Sequence, residues 1–184
     1  AGLIHDLGNP PFGHYGETVI REWFKRWFEN DYKIFERTRA NLKDQVLLNQ
    51  QEKNDFIFFD GNVQNLRIVT KLQTLNDEYG ANFTYGTLST IIKYPWSSVS
   101  KEGADKFGYF ASEGDIIQKL WEKTGLSEGI RHPATYLLEA ADDIIYICDD
   151  IEDGVKKGYI CWKDEYTDLQ NKFKEQQCYV DLFH

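Results

Sequence analysis

Residues 133–154 read PATYLLEAADDIIYICDDIEDG. Pro133 suits the first position of a helix, where its missing N–H costs nothing, and Gly154 suits the position just past the last turn. Between them Leu137, Leu138, Ala141, Ile144, Ile145, Cys148 and Ile151 recur at helical spacing, which predicts a helix from Pro133 to Asp153. Asp142, Tyr146 and Asp150 stand at i, i+4 and i+8. At about 100° per residue they span an arc of about 80°, and Asp149 falls near the same arc. Carboxylates crowded along one side of an apolar helix repel each other unless they face a cation or a hydroxyl-rich ligand. From spacing alone, a solvated acidic face fits equally well.

Working outward, the same period recurs. Ile20, Trp23, Phe24, Trp27 and Phe28 make one apolar stripe between Glu17 and Glu29. Val63, Leu66, Val69, Leu72 and Leu75 predict a helix from Asn62 to Tyr79, stopped by Gly80. A shorter helix fits Thr84 to Lys93, ending before Pro95. Ile116, Ile117, Leu120 and Trp121 mark another, closed by Gly125. The stretch from Asp31 to Asp60 is polar and poorly periodic, with weak helix near Ala40 to Gln51. No period-2 alternation argues for a sheet. The predicted fold class is all-α.

Composition agrees with one domain, or the larger part of one. The chain has 184 residues, 41% hydrophobic and 28% charged, enough to bury a core without disulfides. No apolar run reaches the roughly 18 residues of a spanning helix, and no signal segment opens the chain. A cytoplasmic protein with no membrane partner is expected. Cys148, Cys161 and Cys178 are odd in number and widely spaced, and read as reduced thiols. The net charge of −9 excludes a general basic field for nucleic acid, so an anionic ligand needs local Lys and Arg or a bound cation. There is no Met, and the chain opens mid-pattern at Ala1; a piece of a longer protein is expected.

That opening reads AGLIHDLGNPPFGHYGE, residues 1–17. A helix ending near Leu7 is predicted, cut off by Gly8-Asn9-Pro10-Pro11. His5 and Asp6 offer an imidazole nitrogen and a carboxylate oxygen to one divalent cation, a donor set suited to Mn, Fe, Mg or Zn. The dipeptide alone is common in solvated or capping roles. His14 and Glu17 stand three apart at the start of the next helix and can face each other. A carboxylate beside an imidazole fixes its tautomer and stabilises its protonated form, which suits proton transfer near neutral pH. An N-terminal Glu favoured by the helix dipole is the plainer reading.

Taken together, these segments resemble the HD-domain deoxynucleoside triphosphate triphosphohydrolases, specifically the bacterial dGTPase group. The resemblance is carried by residues 1–17, by FDGNVQNLRIV at 59–69, by TYGTL at 84–88, by KYPW at 93–96, by KFGYFASE at 106–113 and by residues 132–154. It runs in the family's order from Ala1 to Gly158. Residues 159–184 carry no motif of the family. It implies an HD-type helical bundle, here a partial domain over 1–184 that begins inside the domain. His5, Asp6 and Asp142 match metal ligands, and the cofactor implied is one divalent ion (Mn, Mg, Fe or Zn). His14 and Glu17 match the catalytic His and its acidic partner. Lys93 and Tyr94 match a nucleotide-contacting pair, Lys106 a second phosphate-binding Lys, and Asn62 a pocket residue. Tyr146 and Asp150 match the residues that meet the sugar.

The activity implied is metal-dependent hydrolysis of a deoxynucleoside triphosphate, dGTP foremost, to deoxynucleoside and tripolyphosphate. The partners implied are that substrate, further copies of the chain (often a hexamer) and a nucleotide or single-stranded DNA effector. Two departures stand out. The family's upstream His ligand falls before Ala1, and Asn9 stands where many relatives have a second His. Asn can hydrogen-bond there but cannot shuttle protons. Two alternatives remain. Another HD phosphohydrolase, acting on cyclic or hyperphosphorylated nucleotides, would lack the KYPW and HPATYLLEAADD segments. A regulatory module with a dead site would bind DNA with a steep salt slope and without turnover.

Overall fold

The computed structural model describes residues 1–34, 47–73, 79–100 and 106–173. Among them are seven α-helices: α1 (Gly13–Glu29), α2 (Gln50–Ile57), α3 (Gly61–Arg67), α4 (Tyr85–Ile91), α5 (Gly114–Thr124), α6 (Pro133–Lys156) and α7 (Trp162–Phe173). No strand occurs among the described residues; a single parallel bridge joins Ser97 and Tyr109. The all-α expectation holds. None of these helices is long and apolar enough to cross a membrane. The chain divides into two compact units, Ala1–Leu138 and Glu139–His184.

In the first unit the core is Leu66, Val69, Leu88, Ile91, Ile92, Tyr109, Ile117 and Leu120, with Ile4, Phe83, Ile116 and Trp121 packed against it. Most belong to the apolar faces of α3, α4 and α5, each amphipathic with one stripe to bury, while Val69 comes from the π-helical turn after α3 and Tyr109 from the segment before α5. A second, aromatic cluster joins α1 to α2. Phe24 lies 4.6 Å from Phe56 by ring centroids, and Phe28 packs edge-on to Tyr32 at 5.1 Å. The helix starts are capped as their sequences ask. Asn49 and Glu52 form a reciprocal capping box on α2, while Asp60 caps α3 and Thr84 caps α4. Gly125 ends α5 in the left-handed conformation.

Three expectations are corrected. Residues 2–8 are consecutive turns rather than a helix ending near Leu7. Their bonds run to the third residue back, Ile4 N–H to Ala1 O and Asn9 N–H to Asp6 O, and the prolines at 10 and 11 prevent extension. The helix expected from Asn62 to Tyr79 is α only to Arg67; Ile68–Leu72 continue it as a π-helix. Residues 74–78 and most of the weak helix expected at 40–51 lie outside the described residues, as does Cys178. The third correction concerns the second unit. Gly154 does not end α6, which runs on to Lys156. Gly154 serves close approach instead, because a Cβ there would stand 2.5 Å from the Ile160 side chain. The chain then turns at Gly158 (φ +75°), with Tyr159 and Ile160 N–H both bonded to Gly154 O. Residues 162–173, which carried no motif, form α7.

The apolar stripe of α6 is also less covered than its pattern suggests. Leu138 is buried, but Leu137, Ile144, Ile145, Tyr146 and Ile147 are more than half exposed. Among the described residues of the second unit, α7 is the one further helix, 12 residues against 24. Cys148 and Cys161 are exposed, free thiols.

The first unit buries one carboxyl whose ionisation is linked to folding. Asp55 accepts from Ser98 Oγ at 2.6 Å and from Ala111 N–H at 2.7 Å, tying α2 to the segments before α4's partner helix α5. Burial pushes it up to about 6, against the lowering effect of those two bonds. The folded pKa exceeds the unfolded one, so the stabilisation is complete below about pH 4 and is lost as pH rises through about 6. Asn at this position can keep both contacts, since Ser98 Oγ can turn its proton to Gln51 O. Wild type should therefore gain on Asp55→Asn as pH falls from 7 to 5, by on the order of 1 kcal/mol. Paired urea titrations at the two pH values check this; a constant difference would refute it.

Candidate active site

His14 and Glu17 lie one turn apart near the start of α1. His14 Nδ1 is 3.1 Å from Glu17 Oε2, with the imidazole open to solvent and the carboxylate only 3% exposed. Glu17 Oε1 accepts the backbone N–H of Gly61 at 2.7 Å, which ties the start of α1 to the start of α3. Arg21, one turn along α1, approaches Glu17 Oε2 at 3.6 Å and Asp60 Oδ2 at 3.4 Å, and donates from Nε to Phe59 O at 2.5 Å. The carboxylate thus faces a cation, a backbone donor and the imidazole together. With Nδ1–H directed to Glu17, the His14 ring turns its Nε2 lone pair outward.

Asp60 is fully buried and joins this network to the next. Its Oδ1 accepts from the backbone N–H and the side-chain amide of Asn62, each at 2.8 Å. Its Oδ2 lies 3.8 Å from Lys106 Nζ. Lys106 Nζ in turn sits 5.6 Å from the centre of the Tyr94 ring, and the Arg131 guanidinium 5.7 Å from the same ring. The Trp96 indole donates to Lys106 O at 2.7 Å, which holds the Lys93–Trp96 segment against residue 106. Lys93 is half-buried at the end of α4. So Glu17, Asn62, Tyr94 and Lys106, separated widely in sequence, belong to one connected group.

His5 and Asp6 form a pair of their own. His5 Nδ1 is 2.8 Å from Gly2 O, and its Nε2 is 3.2 Å from Asp6 Oδ2. An imidazole that donates from Nδ1 to a carbonyl presents a lone pair at Nε2, the arrangement usual for a metal-ligating His. Here that lone pair stands beside a carboxylate oxygen, two acceptors that suit a shared cation. Two ligand bonds of about 2.1 Å meeting near a right angle span about 3 Å, so the pair fits a divalent ion by chemistry and by separation.

Asp142, Tyr146 and Asp150 belong to the second unit and follow one another turn by turn on α6; Tyr146 and Asp150 are exposed. The helix begins in the first unit, where its start is well held. Ala134 N–H donates to His132 Nδ1 at 3.2 Å, and Thr135, fully buried, donates to Thr90 O at 2.9 Å.

The chain matches no protein-family model. It is 48% identical, over 99% of its length, to a deoxyguanosinetriphosphate triphosphohydrolase-like protein of Listeria monocytogenes, and 38% identical over 93% to one of Synechocystis. It is 30% identical over its whole length to a deoxyguanosinetriphosphate triphosphohydrolase of Salmonella paratyphi A. The chain is a homologue of the deoxyguanosinetriphosphate triphosphohydrolase-like proteins. It spans about two fifths of the length of these relatives, 39%, 40% and 37% respectively.

Sequence reasoning passed over three residues of this connected group: Arg21, Asp60 and Arg131. Arg21 had a signal, since it stands at i+4 from Glu17 on a helix. Asp60 had one too, as an Asp before Gly-Asn at a helix start. Arg131 had none, because only the folded chain brings it to Tyr94. Removing Arg21 leaves Glu17 and Asp60 as buried, like charges without their shared cation. Arg21→Met should cost about 2–3 kcal/mol, the penalty of a broken buried pair discounted for partial exposure. Adding Asp60→Asn should recover at least half of it. Chemical denaturation of both variants checks this, and an additive double variant would overturn the linkage.

Proposed function

We propose that this chain carries catalytic machinery of a metal-dependent deoxynucleoside triphosphate triphosphohydrolase, dGTP being the foremost substrate. The observation that carries the reading is the His14–Glu17 pair, with its carboxylate buried and its imidazole open. The names of the relatives support the substrate class. The reaction attaches water at the α-phosphorus and releases the 5′-oxygen, giving deoxynucleoside and tripolyphosphate. His5, Asp6 and Asp142 are the residues to hold one divalent ion, of Mn, Mg, Fe or Zn, which supplies neutralisation of phosphate charge and activation of water when bound.

The other residues divide the remaining work. His14 holds or gives the proton exchanged at the attacking or leaving oxygen through Nε2, while Glu17 fixes Nδ1–H and stabilises the charged ring. Lys93 and Lys106 take phosphate oxygens, supplying the local positive field that an acidic chain otherwise lacks. Tyr94 and Asn62 line the nucleotide pocket, and Arg131 adds a cation beside Tyr94. Tyr146 packs against C2′, where a hydroxyl would clash, and Asp150 accepts from the 3′-hydroxyl. Assembly into a homo-oligomer and control by a nucleotide or single-stranded DNA belong to the same reading, as does a partial HD-type domain over residues 1–184.

In the full-length protein, His14→Ala should lower turnover by roughly 10²- to 10⁴-fold while metal content is kept. Asp142→Asn should instead lose the metal, measured by elemental analysis. Tyr146→Ala should raise GTP hydrolysis relative to dGTP. Tripolyphosphate as the released product supports the reading. Wild-type turnover in His14→Ala would remove the catalytic pair from it, and release of pyrophosphate or monophosphate would point to another phosphohydrolase.

A further inference from the structure

The turn that carries His5 and Asp6 is not held by a helix, so something else must place it. Its local bonds set only its internal shape: Ile4 N–H to Ala1 O, His5 Nδ1 to Gly2 O and Asn9 N–H to Asp6 O. Ile4 packs against the core, and two closer contacts tie the turn to α3. Gly8 lies so close on α3 that a Cβ there would run into Gly61 O and Asn65 N. And Asn65, sixty residues on and fully buried, donates its side-chain amide to the carbonyl of His5 at 2.9 Å.

The Asn65 amide has no competing reason for its orientation. Among the described residues its Oδ1 finds no hydrogen-bond partner, and the polar bond this buried side chain makes there is the one to His5 O. Turning the amide over would set two carbonyl oxygens face to face. A buried amide that forgoes one acceptor bond loses stability, and what it secures is the backbone of the residue proposed above as a metal ligand. The bond sits at the His5 carbonyl, between the ring bonded to Gly2 O and the Asp6 carboxylate that meets Nε2.

We infer that Asn65 is a positioning residue for the metal site: it holds the His5–Asp6 turn on α3 with the two donors converged. The inference rests on the reading of His5 and Asp6 as ligands. Partners that orient a metal-ligating residue typically change metal affinity by 10- to 100-fold.

The test is Mn²⁺ binding to the full-length protein by titration calorimetry, for wild type, Asn65→Leu and Asn65→Ser. Leu keeps most of the volume and loses the donor; Ser keeps a hydroxyl too short to reach His5 O and serves if the Leu variant does not fold. Ile117→Val, a small loss of volume in the core that touches no polar bond of this turn, is the control for lost stability alone. Mn²⁺ affinity should fall 10- to 100-fold in the Asn65 variants and stay at the wild-type value in Ile117→Val. Wild-type affinity in either folded Asn65 variant, or an equal loss in Ile117→Val, would overturn the inference while leaving the metal site standing. A wild-type protein that takes no Mn²⁺ would overturn both.

Discussion

Glu17 imposes the constraint on which the rest of the first unit depends. A carboxylate with 3% of its side chain exposed cannot stay charged unless its surroundings replace water. The replacements come from three places: the Gly61 N–H at the start of α3, the Arg21 guanidinium one turn along α1, and the His14 imidazole. Meeting all three fixes α1 against α3. Arg21 then needs a second anion and finds Asp60, which also caps α3 and meets Lys106. The helix pair that follows is therefore positioned by charge as much as by apolar packing.

The same network answers a question posed by the composition. A chain of net charge −9 must concentrate its positive charge locally if it is to receive an anion. Lys106 and Arg131 do so around one ring, Tyr94, where cation–π attraction holds two like charges near each other. Lys106 is also balanced by the buried Asp60. A cation held against a distant carboxylate and a ring is ordered before any ligand arrives, which lowers the entropy cost of binding.

Much of the fold was legible because helix signals are local. The stripes of α1 and α5 and the Gly125 stop all act within a few residues and appear where the pattern put them. The failures have physical causes as well. Periodicity cannot tell an α-helix from a π-helix, so Ile68–Leu72 read as more of α3. Gly154 carries two signals, a stop and a point of close approach, and the second governs because Ile160 folds back on it. His5 and Asp6 follow apolar residues that suit a helix, yet the glycines and prolines around them leave only turns.

By itself, the sequence determined that the chain is helical, that His14 and Glu17 can face each other across one turn, and that Asp142, Tyr146 and Asp150 share one side of one helix. Each of these follows from a spacing of three or four residues and the geometry of a single helix. Only the tertiary structure decided which lone groups become partners. It buried Glu17 against Gly61, set Asp60 between Arg21, Asn62 and Lys106, and brought Asn65 to the carbonyl of His5. Apart from the Asp60–Asn62 cap, these bonds join residues 39 to 60 positions apart. No periodicity encodes that, because a buried polar group is satisfied by whatever the packing brings within about 3 Å of it.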